Sequence, residues 1–196
     1  MKNNAPIRIY RISRFFYTHK MRHLSKAIDW TNRFLFGRWC PGSAKLGKGC
    51  SLGYWGGATI IHKDAVLGDN CLIAQNVTIG RNFGDKNVPI IGNDVYIGAG
   101  SVVFGEIFIG NNVIIGANSV VNKSVPDNCT VAGNPFRIIR ENRQEKYYEL
   151  DKCKYIKTTD MQNVIDKEGG IYQIRIKSVK FRVAHLGCVL ERRAAA

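Results

Sequence analysis

An aliphatic residue recurs at every sixth position through the middle of this 196-residue chain, and this period constrains the fold more than any other feature. The period matches neither an α-helix nor a coiled coil, and the segment is rich in Gly and β-branched residues, so an amphipathic helix is excluded. The repeated aliphatic positions are Leu46, Leu52, Ile61, Leu67, Ile73, Ile79, Ile91, Ile97, Val103, Ile109, Ile115 and Val121.

A small or medium-sized residue stands four places after eleven of these twelve positions, all but Ile79, and Gly, Asn or Asp stands three places after most of them. Two inward-pointing residues separated by a turn residue are typical of short strands joined by sharp turns, because Gly and Asn tolerate a positive φ. Three such strands make one coil, and stacked coils pair each strand with the next one along the axis. The sequence therefore predicts a mainly β fold, a hexapeptide-repeat β-helix of about four coils.

The repeat is interrupted twice, and insertions in a solenoid often build its functional site. The spacing between Leu52 and Ile61 is nine residues, around Tyr54 and Trp55. Between Ile79 and Ile91, Asp85 stands where an aliphatic residue is expected, so residues 81–88 are predicted to leave the coil as a loop.

The net charge of +14 divides unevenly along the chain. Residues 1–38 carry +8, residues 39–136 are neutral, and residues 137–196 carry +6. These three blocks are the predicted domains: a basic N-terminal helical cap, the β-helix, and a C-terminal helix with a basic tail. A neutral repeat argues against a nucleic-acid surface along the solenoid.

The six cysteines form no CxxC pair, and no secretion signal or membrane-spanning stretch is present in the sequence. We therefore expect reduced thiols, no metal site and a cytoplasmic location. Cys50 and Cys71 fall on interior positions of the repeat, where a cysteine acts as a small hydrophobic residue.

Several segments resemble the left-handed β-helix acyltransferases, which use acetyl-CoA. Residues 131–139, VAGNPFRII, are similar to the motif that follows the last coil in that family, and residues 97–102 and 115–121 resemble its late repeats. The resemblance covers residues 42–140 and is strongest to serine acetyltransferases and polysaccharide O-acetyltransferases.

The resemblance implies a homotrimer with active sites in the grooves between neighbouring coils. It implies that Gly98, Ala99, Gly116 and Ala117 admit the pantetheine arm of acetyl-CoA, and that Lys123 and Arg140 meet its phosphates. These small residues also suit turns, and the two cations also suit a solvated surface.

Three functional positions of serine acetyltransferases are not retained. Trp55 stands where the family has its catalytic His, Trp39 where it has the partner Asp, and Val88 where it has a second His. The acceptor is therefore serine-like or a sugar hydroxyl.

His62 is the predicted general base, because it is the one histidine within the repeat and directly follows an inward-pointing Ile61. It would take the acceptor proton while a backbone N–H stabilises the oxyanion. Asp64 or Asp85 would orient the imidazole; Asp64 also suits a turn. An exposed surface histidine is the alternative.

Tyr54, Trp55, Asn82 and Asp85 lie at the two interruptions and are predicted to line an acceptor pocket, since aromatic faces beside polar groups suit sugars. For Trp55 the alternative is a cap on the apolar interior.

The flanks carry no catalytic motif. A helix over residues 20–36 is predicted to cover the first coil, with peripheral contact to an anionic inner membrane surface as the alternative function of this basic, aromatic segment. A helix is also predicted over residues 138–150, and an edge strand over 171–183.

The leading hypothesis is an acetyl-CoA-dependent O-acetyltransferase acting on a small polar acceptor. Its rivals are a non-catalytic β-helix binding module and nucleic-acid binding through the basic flanks, which predicts strong salt dependence.

Overall fold

The computed structural model describes residues 5–150, which contain two N-terminal helices followed by a parallel β-solenoid. The helices are α1 (Ala5–Thr18) and α2 (Arg22–Phe36).

Three sheets form the sides of the solenoid, and the chain passes through them in turn. Sheet 1 contains β1 (Lys45–Leu46), β4 (Val66–Leu67), β7 (Ile90–Ile91) and β10 (Phe108–Ile109). Sheet 2 contains β2 (Ser51–Leu52), β5 (Leu72–Ile73), β8 (Tyr96–Ile97), β11 (Ile114–Ile115), β13 (Thr130–Gly133) and β14 (Phe136–Arg140). Sheet 3 contains β3 (Ile60–Ile61), β6 (Thr78–Gly80), β9 (Val102–Phe104) and β12 (Val120–Val121).

The predicted repeat is confirmed by the register of the strands. Leu46 aligns with Leu67, Ile91 and Ile109 in sheet 1, and all twelve repeated aliphatic residues are buried. The smaller residues four places later are buried as well, apart from the partly buried Ile107. Cys50 and Cys71 lie in this interior as predicted, and the four described cysteines are free.

Several turns use the predicted positive φ. Asn70, Asn76, Asp94, Asn112 and Asn118 all lie between +54° and +56°. Asn and Asp tolerate this region better than other non-glycine residues, because their short polar side chains bond locally. The expectation is wrong at Asp64 and Asn82, which do not have a positive φ. Both belong to turns at the corner that carries the loop of residues 81–89.

Helix α1 closes the first coil. Its Ile7 and Tyr10 are fully buried in the core cluster with Ala44 and Leu46. The Tyr10 hydroxyl donates to the Ala44 carbonyl at 2.7 Å and accepts from the Leu46 N–H at 3.1 Å, and burial raises the pKa of Tyr10 to about 12. The basic segment therefore caps the solenoid, as an open coil requires.

Helix α2 has the predicted position, but it is rotated about its axis so that its apolar side points away from the solenoid. Leu24 and Leu35 of α2, together with Met21 just before it, are 41–65% exposed, so they do not cover the first coil. Ser25, Asp29 and Asn32 are buried instead. The packing surface offered to α2 is polar, which reverses the usual orientation of an amphipathic helix. Neither helix, nor any other in the described part, is long and apolar enough to cross a membrane.

The helix predicted over residues 138–150 is wrong for most of its length. Residues 136–140 form β14, which pairs antiparallel with β13 at the open edge of sheet 2, and a helix occurs only at α3 (Tyr147–Leu150). Between them, the side chain of Arg143 is buried and donates to Asn112. Lys146 then pairs with Asp94 at 2.9 Å, and Tyr147 donates to the Asn70 carbonyl at 2.7 Å. This strap, residues 143–147, runs along the turns between sheets 1 and 2. The strand predicted at residues 171–183 lies outside the described residues.

Candidate active site

The predicted site residues lie at two corners of the solenoid. The corner between sheets 2 and 3, here the aromatic corner, carries Tyr54 and Trp55 together with Gly98, Ala99, Gly116 and Ala117. The corner between sheets 3 and 1, here the histidine corner, carries His62, Asn82, Asp85 and Lys123. One side of the solenoid, sheet 3, separates these corners within a single chain.

His62 follows β3, and its imidazole points out of the coil with 27% of the side chain exposed. Its backbone N–H donates to the Ile79 carbonyl at 2.8 Å, which fixes the residue beside the start of the 81–89 loop. Nδ1 accepts from the Asp64 N–H at 3.3 Å and lies 3.7 Å from the Asp64 carboxylate. Nε2 has no hydrogen-bond partner among the described residues.

The loop of residues 81–89 is fastened to the next coil by Asp85. The Asp85 carboxylate accepts from the Glu106 N–H at 3.1 Å, and Asn87 donates to the Glu106 side chain at 2.6 Å. Of the two candidate partners of His62, Asp64 is therefore the one beside the imidazole. Asn82 and the loop-tip residue Phe83 are exposed.

Tyr54 and Trp55 form a short 3-10 turn, Gly53–Gly56, in which both residues have a positive φ of 47° and 62°. Positive φ is strained for aromatic residues, and such strain concentrates at functional sites. The buried Arg38 holds the turn, since it donates to the Trp55 carbonyl at 2.9 Å and to Asn32. Burial lowers the pKa of Arg38 to about 10. Sequence reasoning missed Arg38, whose only signal is its position just before the repeat.

Trp55 does not cap the apolar interior. Its side chain is 57% exposed and packs against Phe36 with the ring centroids 5.7 Å apart, while Tyr54 is 73% exposed. The alternative offered for Trp55 is therefore wrong, and both rings are available to a ligand.

The glycines assigned to acetyl-CoA have a packing role. A Cβ on Gly98 would lie 2.5 Å from the Ala117 backbone nitrogen, and one on Gly116 would lie 2.8 Å from the Ala132 Cβ. Close stacking of neighbouring coils therefore requires small residues here, whether or not a ligand binds. Ala117 is exposed and Ala99 partly so.

The two predicted phosphate ligands lie apart. Lys123 is exposed in the turn after β12, on the same corner as His62 and three coils further along. Arg140 ends β14 and forms an exposed ion pair with Glu145 at 3.2 Å. Among residues 5–150 there is no group of three His, Cys, Asp or Glu side chains that could hold a metal ion.

Two of the three positions that differ from serine acetyltransferases are structural in this chain. Val88 is buried in the core, and Trp39 forms a parallel bridge with Ile60 at the start of sheet 3. Neither residue has a side chain capable of acid–base chemistry. Within the described solenoid, His62 is therefore the histidine that could act as the general base.

Known proteins similar to this chain are serine acetyltransferases, although no protein-family model matches it. The serine acetyltransferase of Synechococcus elongatus is 38% identical over 132 residues, which are 66% of this chain and 54% of that enzyme. The Brucella abortus serine acetyltransferase solved with coenzyme A has 33% identity and a TM-score of 0.63, with 69% of this chain and 54% of that one covered. The Neisseria gonorrhoeae serine acetyltransferase solved with serine has 33% identity and a TM-score of 0.64, with 69% of this chain and 55% of that one covered.

The chain belongs to the hexapeptide-repeat acyltransferase family. Within this family, serine acetyltransferases are the relatives that it resembles, in sequence and in the β-solenoid fold. The chain spans about half the length of these relatives, so the similarity concerns the solenoid and its neighbouring segments.

Proposed function

We propose that this protein transfers the acetyl group of acetyl-CoA to a hydroxyl of a small polar acceptor. The family relationship supports the donor and the acceptor class, because a similar enzyme was solved with coenzyme A and another with serine. The observation that carries the proposal is His62, a partly exposed imidazole held by the backbone at a solenoid corner, whose Nε2 has no partner among the described residues.

In this reaction the acceptor hydroxyl gives its proton to His62 Nε2 while its oxygen attacks the thioester carbonyl. The tetrahedral intermediate collapses, the C–S bond breaks, and the thiolate of CoA takes the proton from the imidazolium. The atoms balance without a metal or a covalent enzyme intermediate.

Asp64 has a specific role in this step. A neutral imidazole whose Nδ1 accepts the Asp64 N–H carries its proton on Nε2, which cannot then act as a base. A proton on Nδ1, directed at the Asp64 carboxylate 3.7 Å away, frees Nε2 and stabilises the imidazolium that forms. Asp64 is therefore proposed as the positioning residue of the base.

The test is release of free CoA thiol from acetyl-CoA in the presence of serine and of candidate sugars. His62→Ala is expected to lower turnover by roughly 10²–10⁴ with the fold unchanged, since it removes the general base. His23→Ala, in the exposed part of α2, is the matched control and is expected to keep full activity. Near-wild-type transfer by His62→Ala would remove this residue from the mechanism.

A sugar hydroxyl is the second candidate acceptor, and Tyr54 and Trp55 favour it. Two exposed aromatic rings on a turn held by a buried arginine offer flat apolar faces, which suit the C–H face of a pyranose. Under this alternative, Trp55→Ala raises KM for the sugar about tenfold or more and leaves kcat nearly unchanged. If serine alone stimulates CoA release, the sugar alternative fails. If no acceptor does, the protein is the non-catalytic binding module.

We also infer that the protein assembles as a homotrimer, which the family resemblance implies. The position of sheet 1 supports this inference, because it borders the histidine corner and a copy packed against it would lie beside His62. The outward side of sheet 1 supports it too, with Ile90 and Phe108 about half exposed in one row.

A further inference from the structure

The two N-terminal helices expose apolar side chains that make no contribution to the core. They belong to both helices and are 41–81% exposed. We call this set the outer face: Ile12, Phe15, Leu24, Trp30, Phe34 and Leu35. Clusters of exposed apolar side chains on a folded domain usually mark a binding surface.

The inward side of the hairpin explains why the apolar residues point outward. Ser13 donates to Asp29 at 2.5 Å and lies 2.9 Å from the Ser25 hydroxyl. Asp29 also accepts from the Gly42 N–H at 3.0 Å. This buried polar network fixes the rotation of α2, so the apolar residues are held away from the solenoid.

Positive charge accompanies the outer face. Residues 5–38 contain one acidic residue, Asp29, which is buried. Arg11, Arg14 and Arg38 are already engaged with backbone carbonyls of the solenoid. The remaining basic residues are exposed: Arg8, Lys20, Arg22, Lys26 and Arg33.

We propose that the outer face lies on an anionic membrane surface, with the helices in the plane of the interface. Apolar side chains that enter the acyl boundary, flanked by cations that meet the headgroups, are the pattern of an interfacial helix. A second copy of the chain is disfavoured as the occupant, because it would bring the same positive charge. RNA is the weaker occupant: Phe15, Trp30 and Phe34 could stack on bases, but the aliphatic half of the outer face, Ile12, Leu24 and Leu35, would gain nothing from bases and suits acyl chains.

The experiment is flotation of the full-length protein with vesicles of phosphatidylglycerol and phosphatidylcholine, compared with phosphatidylcholine alone. Binding is expected to the anionic vesicles at low salt and to weaken at high salt. Arg22→Glu with Lys26→Glu is expected to weaken binding about thirtyfold or more, since each basic residue near the surface contributes about fivefold. The apolar side chains should account for the vesicle binding that persists at high salt. Phe34→Ser with Leu35→Ser is expected to abolish this remaining binding.

Matched controls carry the same changes elsewhere. Lys86→Glu with Arg137→Glu reverses two exposed charges outside the helices, and Ile138→Ser with Ile139→Ser removes two exposed apolar side chains from β14. Both controls should bind like the wild type. Reversal of Arg11 or Arg14 is not informative, because both residues hold α1 to the first coil.

Three results overturn the proposal. One is the absence of binding to anionic vesicles at low salt. Another is concentration-dependent self-association that Phe34→Ser abolishes without any vesicle binding, which assigns the face to a second copy. The third is RNA binding that the same substitutions remove while vesicle binding is absent. None of these outcomes depends on acetyl transfer, so the proposed reaction is tested separately.

Discussion

At the scale of single residues, the polar network beneath α2 depends on one buried carboxyl group. Asp29 accepts hydrogen bonds from Ser13 and Gly42, yet burial raises its pKa above the ordinary value. The folded state therefore binds the proton more tightly than the unfolded state does. The resulting stability is present below the unfolded pKa, near 3.8, and is lost as the pH rises through the higher folded value.

Asp29→Asn tests this pH dependence. The amide oxygen can accept the same two hydrogen bonds without carrying a charge, so the variant should be at least as stable as the wild type at neutral pH. Its advantage in the free energy of unfolding should shrink as the pH falls towards 4. Denaturant unfolding at a series of pH values measures this difference. A difference independent of pH would contradict the prediction, and Glu141→Gln, which removes an exposed carboxylate, is the control.

Residue patterns also show how far the sequence could predict the structure. Leu46, Ile73 and Ile115 were identifiable as core residues because each coil of a solenoid places equivalent positions in the same buried environment. One coil therefore predicts the burial of the next. The rotation of α2 was not identifiable, because it depends on Ser13, Arg38 and Gly42, which meet it only after folding. The division of Trp55 and His62 between two corners was likewise hidden, since it depends on the length of the turn around Tyr54.

At the scale of elements, the strap of residues 143–147 joins four coils from outside. Arg143 bonds to Asn112 in the fourth coil and, through its backbone, to Asn128 beyond it. Lys146 and Tyr147 reach Asp94 and Asn70 in the third and second coils. Ile138 and Ile139 are β-branched and suit a strand, and the open edge of sheet 2 supplies its hydrogen bonds. The chain then turns from this strand into the strap.

Arg143→Ala is expected to destabilise the solenoid by roughly 1–3 kcal/mol, because buried carbonyl and amide groups of Asn112 lose a charged partner. Arg137→Ala removes an exposed arginine from the same region and should change the free energy of unfolding by less than about 0.5 kcal/mol. Denaturant titration of both variants gives the comparison. Equal midpoints for the two would show that the strap contributes little to stability.

At the scale of the whole molecule, the positive charge and the candidate active site lie in different parts of the chain. The helical end carries the basic outer face, and the neutral solenoid carries the candidate chemistry. A membrane-bound cap would hold the solenoid close to the bilayer, where lipid-linked saccharides present hydroxyl groups. The proposed surface and the sugar alternative are therefore mutually consistent, although each has its own test.

Assembly decides whether the histidine corner is completed by a second copy. In a homotrimer packed through sheet 1, Phe108 would be buried, and Phe108→Glu would place an uncompensated charge in an apolar contact. Light scattering should then give a mass of three chains for the wild type and one for the variant, with association weakened about a hundredfold or more. Ile139→Glu, equally exposed but on β14, should remain trimeric. Because the histidine corner borders sheet 1, the neighbouring copy would line the site at His62, and dissociation should also lower acetyl transfer. A monomeric Phe108→Glu with full activity would mean that each chain carries a complete site.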